Sequence, residues 1–344
     1  MGYWFKRRGQ RELASPEEKV KALAAHFAGK SVLVTGGAGF IGSHLVAVLC
    51  DAGANVTVLD NLQAGKWSNL DGVARVEKLE GDVREAATVE PLITRLSPVA
   101  VFHLAANASV PGSVQEPAYD YEANASGTFV VLNAVRIAGN TARVVAISSG
   151  AVYGEPLSFP ITETDLLAPI SPYGASKLCA EVISRMFVRV YKTPVVIARI
   201  FNAYGPHMAR FVVLDFLRKL KANPANLEIL GTGQQVRDFT YVMDTVQGLL
   251  TLAIEGEVGE SYNLSSGAYC SVTQLAEQLI AVRGLAGQTT LSYTGSSWVG
   301  DAQRWEVAIE RLKALGYRPQ FGLDDGLRRT AAWFDSEETS EVKR

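Results

Sequence analysis

Tyr173 and Lys177 stand four residues apart in a stretch, 172–191, whose pattern predicts a helix, so a phenol and an ammonium share one face. Tyrosine is a poor base at its ordinary pKa near ~10, and a neighbouring ammonium favours the phenolate. Of the twelve tyrosines, only this one has a lysine four residues on. A second reactive group follows an apolar run at 142–148: Ser148-Ser149-Gly150-Ala151-Val152-Tyr153-Gly154. A serine hydroxyl there can hydrogen-bond a substrate oxygen and relay its proton to Tyr173. Alone, a Tyr–Lys pair at this spacing is commonly surface decoration, and Ser-Ser-Gly is also a good turn. What they mean depends on the elements that carry them.

Those elements alternate. From Lys30, runs rich in Val and Ile fall at 31–35, 55–59, 99–104, 142–148 and 194–201, separated by helical stretches including 43–52, 124–138 and 172–191. Continuous apolar strands are those covered on both faces, and a βαβα order argues a doubly wound parallel sheet of the α/β, Rossmann type. After residue 201 the segments shorten around turns such as Gly231-Thr232-Gly233, with one clear helix at 271–283, which predicts a smaller C-terminal substrate-binding α/β domain. The expected organisation is an N-terminal arm and helix over 1–29, a nucleotide domain over 30–200, a substrate domain over 201–335 with some segments returning to the first, and a frayed tail over 336–344. In the arm, Tyr3-Trp4-Phe5-Lys6-Arg7-Arg8 precedes Ser15-Pro16-Glu17-Glu18, an N-cap, a proline at the first helical position and a capping glutamate.

The first strand runs into Gly36-Gly37-Ala38-Gly39-Phe40-Ile41-Gly42. Gly36, Gly39 and Gly42 suit a turn with unusual φ values and a backbone that lies close to a pyrophosphate, which the helix N-terminus then attracts. Asp60 closes the second strand, where a carboxylate accepts both ribose hydroxyls of NAD and repels the 2′-phosphate of NADP. A turn-capping Asp is the plainer alternative. Asp82 is a weaker candidate for the adenine amino group.

Composition excludes other classes. The net charge of -2 gives no general reason to bind nucleic acid or anionic lipid. Cys50, Cys179 and Cys270 form no CxxC pair, and the four histidines have no ligand spacing, so no metal is expected. No apolar run reaches membrane-spanning length and no secretory signal is visible, so the expected location is the cytoplasm.

In order along 30–334, the chain carries Thr35-Gly-Gly-Ala-Gly-Phe-Ile-Gly42, Asp60-Asn-Leu-Gln-Ala-Gly-Lys66, Gly81-Asp82-Val83, His103-Leu-Ala-Ala106, Asn124-x-x-Gly127-Thr128, Ser148-Ser149, Tyr173-x-x-x-Lys177, Arg199-Ile-Phe-Asn202-x-Tyr204-Gly-Pro206 and Gln235-Val-Arg237-Asp238-Phe239. In these it resembles the extended short-chain dehydrogenase/reductase superfamily, specifically its NAD-dependent nucleotide-sugar epimerases and dehydratases, and UDP-hexose 4-epimerases most. The resemblance implies NAD held by Gly36, Gly39, Phe40, Ile41, Gly42, Asp60, Asn61, Asp82, Val83, Leu104, Ala105, Ala106, Tyr173 and Lys177. It implies Ser149, four residues before Tyr153, as the catalytic serine with Tyr173 and Lys177. Asn124 would support the site, and Asn202 and Arg237 would contact the sugar nucleotide, Arg237 through the diphosphate. A guanidinium fork suits phosphate oxygens, with a salt bridge to Asp238 as the alternative.

The resemblance places the reaction class on Gly150 and Ala151. Dehydratases of this family carry Asp-Glu directly after the catalytic Ser/Thr, and decarboxylases use a glutamate there. Gly150-Ala151 can transfer no proton. What remains is transient oxidation at C4 of a UDP-hexose or UDP-uronic acid to a 4-keto sugar, with hydrogen returned to the opposite face. The alternatives are a 4-keto-sugar reductase or other oxidoreductase of the fold and, remotely, a non-catalytic NAD-binding regulator. Two positions depart from the family. Its Arg-x-Gly-Asp string reads Trp298-Val299-Gly300-Asp301 here, with Arg210 or Arg304 as stand-ins for the arginine. Trp305 stands where epimerases have a gate beside the sugar's C2 group, or else is a core tryptophan in a shifted register. Family members commonly dimerise through the helices at 124–138 and 172–191, and Val182, Met186 and Val190 are candidate outward positions for a homodimer, with packing against the sheet as the equal alternative.

Overall fold

The structure, a computed structural model, describes residues 15–296 and 302–341, with side chains to residue 337. The aromatic-basic string at 3–8 and the Trp298–Asp301 string lie outside the described residues.

Helix α1 (Pro16–Ala24) opens with the expected capping box, Ser15 and Glu18 bonding each other's backbone N–H. Residues 15–29 form the helical part of this segment, docked on the domain. Val20, Ala24 and Phe27 are buried, Phe27 packs edge-on to Phe102 at 5.9 Å, and Glu17 pairs with Arg329 at 2.9 Å. The helix's apolar positions need a partner, and they find it on the nucleotide-binding layer.

Then come β1 (Ser31–Thr35), α2 (Phe40–Asp51), β2 (Asn55–Asp60), β3 (Val76–Glu80), α3 (Ala86–Leu96) and β4 (Ala100–His103). They are followed by α4 (Val110–Gln115), α5 (Pro117–Tyr121), a π-helical turn at Glu122–Ser126, α6 (Gly127–Ile137), β5 (Arg143–Ser149), α7 (Pro172–Tyr191) and β6 (Val195–Ile200). Beyond residue 201 lie β7 (Ala203–Tyr204), α8 (Val212–Ala222), β8 (Asn226–Ile229), β9 (Val236–Asp238), β10 (Thr240–Tyr241), α9 (Val242–Glu255), β11 (Ser261–Leu264), β12 (Tyr269–Ser271), α10 (Val272–Val282), β13 (Thr290–Tyr293), α11 (Glu310–Ala314) and α12 (Leu323–Glu341). Helix α12 continues past Ser336, where the sequence suggested a frayed tail.

The main sheet runs β3-β2-β1-β4-β5-β6-β11, and every pairing is parallel. The order reverses between β1 and β4, the switch point at which such sheets bind ligands. Strand β11 returns from far along the chain to pair with β6, while β7–β10, β8–β13 and β9–β12 form three two-stranded units. One face of the sheet is covered by α1, α2 and α9 through Leu45, Val46, Leu49, Val246 and Leu250; the other by α3, α6 and α7 through Ile93, Val131, Val135 and Phe187. A further core joins Leu214, Leu217, Leu275, Leu279 and Leu327 of α8, α10 and α12. On α7, Val182 and Val190 are exposed, but Met186 packs into the core instead of facing outward.

Candidate active site

The glycine turn is built by close approach. Gly36 has φ +71°, and a Cβ on it would lie 2.6 Å from the Ala105 amide nitrogen, so Leu104-Ala105-Ala106 beyond β4 run directly beside the turn. A Cβ on Gly42 would sit 2.3 Å from the Gly36 carbonyl oxygen. Gly39 caps α2, and Phe40 and Ile41 form its first turn, whose N–H groups have no intrahelical partner. Asp60, buried at the end of β2, accepts from the Ala38 and Leu62 amides at 3.0 and 2.9 Å. Burial pushes its pKa up, and those two N–H groups oppose the rise. Asn61 donates to Asp82 at 2.9 Å; burial works against the Asp82 carboxylate, but Arg84 at 2.9 Å holds its pKa below the ordinary range. Val83 is buried beside them. The predicted cofactor strip thus lies along the carboxyl edge of β1, β2 and β4.

Strand β5 ends at Ser149, and its two serines point apart because successive strand residues face opposite ways. Ser148 donates to Glu181 at 2.6 Å. Ser149 accepts from the Ala151 amide at 3.2 Å, and its hydroxyl works to lower the Tyr173 pKa. Helix α7 starts where its sequence requires, with Ser171 accepting from Gly174 N–H and Pro172 in the first turn. It places Lys177 under Tyr173, donating to the Ile147 carbonyl at 2.9 Å. Burial lowers the Lys177 pKa to about 8, against the pull of Asp120 and Glu181. Tyr173 differs from the sequence expectation. Burial raises its pKa and Asp120 adds to this, while Ser149 and the Arg210 guanidinium oppose it. Desolvation therefore outweighs the Arg210 cation.

Gly150 and Ala151 continue into a buried 3-10 turn. A Cβ on Gly150 would lie 2.3 Å from Cε1 of Phe201, so the position has no room for a side chain as packed.

Asn124 lies in the π turn, and its Nδ2 donates to Ser176 at 2.9 Å, the Asn107 carbonyl at 3.1 Å and Asp120 at 3.2 Å. Its side-chain oxygen is buried without a hydrogen-bond partner. The Asn124 carbonyl accepts from Thr128 at 2.6 Å, Thr128 in turn meets His103 Nε2 at 3.1 Å, and His103 Nδ1 meets Thr35 at 2.8 Å. Because Thr128 donates to Asn124, His103 must donate through Nε2 and accept at Nδ1. The imidazole is neutral, its pKa pushed down to about 3 by burial and by Lys177.

Asn202 donates to the Asp238 carbonyl at 3.0 Å. Arg237 is buried with its guanidinium 5.1 Å from the Trp305 ring, whereas the Asp238 carboxylate is turned to Ser266 and Gly267. Trp305 packs edge-on to Phe201 at 5.8 Å and lines one small cleft with Ala151, Gly154 and Ser171. Phe201 thus links the Arg237–Trp305 group to Gly150. Arg304 pairs instead with Glu306, and Arg210 faces Tyr173.

Sequence reasoning missed a buried network behind the serines. Arg199, 1% exposed, donates to both Glu181 oxygens at 2.8 Å and to Tyr153 at 2.6 Å, and Tyr153 donates to Asn263 at 2.7 Å. The signal available was Glu181, four residues past Lys177 on the same helix face. It also missed Asp120, Asn107 and Ser176. Among the described residues no His, Cys, Asp and Glu group could hold a metal ion.

A parallel sheet with a reversed order at β1/β4, a glycine turn at that point and a Ser–Tyr–Lys site at its carboxyl edge define an enzyme of the extended short-chain dehydrogenase/reductase class. Over residues 33–330 the chain belongs to the family described as GDP-mannose 4,6 dehydratase. It is 32% identical to the mouse dTDP-D-glucose 4,6-dehydratase over 318 residues, 89% of this chain and 88% of that one. An epimerase structure from Methanothermobacter thermautotrophicus superposes with a TM-score of 0.87 at 32% identity, covering 95% of this chain and 98% of that one. The Thermus thermophilus UDP-glucose 4-epimerase, solved in complex with NAD, gives a TM-score of 0.80 at 34% identity over 89% and 99%.

Proposed function

We propose that the protein is an NAD-dependent UDP-sugar 4-epimerase, with a UDP-hexose or UDP-uronic acid as substrate. The observation that carries this reading is the packing of Gly150 on Phe201 directly after Ser149: neither position following the serine, Gly150 or Ala151, offers an acid to the hydroxyl–phenol–ammonium set. Epimerisation needs only a base and a redox group, whereas dehydration needs an extra acid and base.

NAD fits the observed cradle. Gly36 and Gly42 leave room only for backbone, as a pyrophosphate approach requires, and Asp60 keeps acceptor sites beyond its two amide donors for ribose hydroxyls. Phe40, Ile41, Asn61, Asp82, Val83 and Leu104–Ala106 line the remaining edge, and Tyr173 and Lys177 close the nicotinamide end. When bound, NAD supplies reversible removal of hydrogen at a sugar carbon. Tyr173 takes the proton of the C4 hydroxyl and later returns it, with Ser149 sharing that hydrogen bond. Lys177 supplies the positive charge that favours the phenolate as it forms. Asn124 ties the base-bearing turn of α7 to the π turn. Arg237, stacked on Trp305, and Asn202 hold the nucleotide diphosphate end, and Trp305 bounds the sugar pocket.

The exposed Val182 and Val190 of α7, with Phe129 and Ile137 of α6, support a homodimer through these helices. Three free cysteines support a reducing, cytoplasmic setting, and among the described residues no helix is long and apolar enough to cross a membrane. The reading is tested by incubating purified protein, without added cofactor, with UDP-glucose, UDP-galactose and the corresponding uronic acids and resolving the products. Interconversion of a C4 pair supports it. Failure to interconvert any pair overturns it.

A further inference from the structure

Asp120 is a fully buried carboxylate in α5, and all its side-chain hydrogen-bond partners are neutral. Oδ1 accepts from Asn107 at 3.0 Å and Asn124 at 3.2 Å, and Oδ2 accepts from Ser176 at 2.5 Å. Three donors and no acceptor surround it, which favours the ionised form. Ser176 sits on α7 between Tyr173 and Lys177, so the carboxylate is bonded to the helical turn that carries that pair. Ser176 has one proton. Its closer acceptor is Asp120 at 2.5 Å, with the Tyr173 carbonyl at 3.0 Å as the second, while the serine oxygen accepts from Asn124 at 2.9 Å. The carboxylate therefore pins the turn that carries the base.

The other charged and titratable groups around the pair are accounted for. Glu181, on the same helix, is matched by Arg199 at 2.8 Å and Arg185 at 3.0 Å. His103, on β4, is neutral. Arg210, ahead of α8, faces Tyr173. Lys177 is itself buried and donates to a neutral carbonyl, that of Ile147 at 2.9 Å. Asp120, which has no cation among its hydrogen-bond partners, pushes the pKa of both Lys177 and Tyr173 upward; burial raises its own pKa, against the pull of Ser176, Lys177, Asn107 and Asn124.

We propose that Asp120 is a positioning residue for the Tyr173–Lys177 pair, its fixed charge holding Lys177 as an ammonium and setting the pH at which Tyr173 ionises. The proposal rests on the assignment of Tyr173 as the base. Removing the charge frees Tyr173 to ionise at lower pH and frees Lys177 to lose its proton at lower pH. Both limbs of the kcat/KM profile then move down together. A merely structural loss lowers the rate and leaves the limbs in place.

The test is a phenolate absorbance titration that needs no catalysis. Wild type minus Tyr173→Phe isolates Tyr173, and the same difference is taken in an Asp120→Asn background. Asp120→Ser, smaller and still able to accept a hydrogen bond, is the second neutral variant. Expected is a midpoint lower by about one pH unit, about tenfold in the ionised fraction at a given pH. Ser176→Ala, which keeps the charge and removes one bond, should move it by less than half as much. An unmoved Tyr173 midpoint in the neutral variants, or an equal shift in Ser176→Ala, overturns the proposal. A protein inactive on every UDP-sugar still reports on Asp120, so this proposal and the epimerase reading fail separately.

Discussion

Gly150 and Phe201 occupy each other's space: a Cβ on the glycine would lie 2.3 Å from Cε1 of the ring. Phe201 is itself wedged between Tyr153, stacked at 6.1 Å, and Trp305, edge-on at 5.8 Å, so it cannot step aside freely. Gly150→Asp should therefore not turn the site into a dehydratase. It should lower stability by roughly 1–3 kcal/mol through overpacking, with a further cost for the buried charge. Urea unfolding and product analysis check this; a stable variant releasing a 4-keto-6-deoxy sugar contradicts it.

The two serines of β5 should separate by readout. Ser149→Ala should slow turnover and leave stability near wild type, because within the fold its hydroxyl accepts from the Ala151 amide and favours the Tyr173 phenolate. Ser148→Ala should cost stability, since it leaves a Glu181 oxygen short of its 2.6 Å donor. Tyr173→Phe should lower turnover by roughly 10²–10⁴-fold while acid-released NAD per chain stays the same. Retained activity would show that the base lies elsewhere.

Arg199 and Glu181 are both 1% exposed and joined by two hydrogen bonds. Arg199→Met leaves Glu181 buried without its main cation, and should cost about 3–5 kcal/mol in denaturant unfolding. Replacing both by apolar residues should recover much of that loss. A single variant as stable as wild type would remove this pair from the account.

His103 carries a stability-versus-pH signature. Its folded pKa, about 3, lies below the unfolded value near ~6.5. The unfolded chain therefore binds the proton first as pH falls. The stability is fully present above pH ~6.5 and lost toward pH 3, at about 1.4 kcal/mol per pH unit for a single site. In His103→Gln this contribution is absent, so unfolding free energies measured between pH 7 and pH 4 should fall less steeply than in wild type. Equal slopes would place a charged imidazole in the fold.

How much of this was legible depended on separation along the chain. Strand β1 could be bounded because it is apolar on both faces, and α7 because Ser171-Pro172 marks its start. Strand β3, Val76–Glu80, alternates exposed charges at the sheet edge and reads as loop. The return of β11 beside β6 has no local signal at all. The same holds for the site. Tyr173 and Lys177 declare themselves by their spacing, but Asp120 meets Ser176 across 56 residues, and Tyr153 meets Asn263 across 110. The helix at 15–29 was legible as a helix because its cap is local, but its packing on α2 and α9 has no local signal.

The central claim is that hydrogen leaves C4 of the sugar and comes back to C4. A UDP-hexose carrying deuterium at C4, incubated with the enzyme and no added cofactor, measures this directly. The expected product is the C4 epimer with deuterium still at C4. Deuterium at C6, or lost from the product, would contradict it.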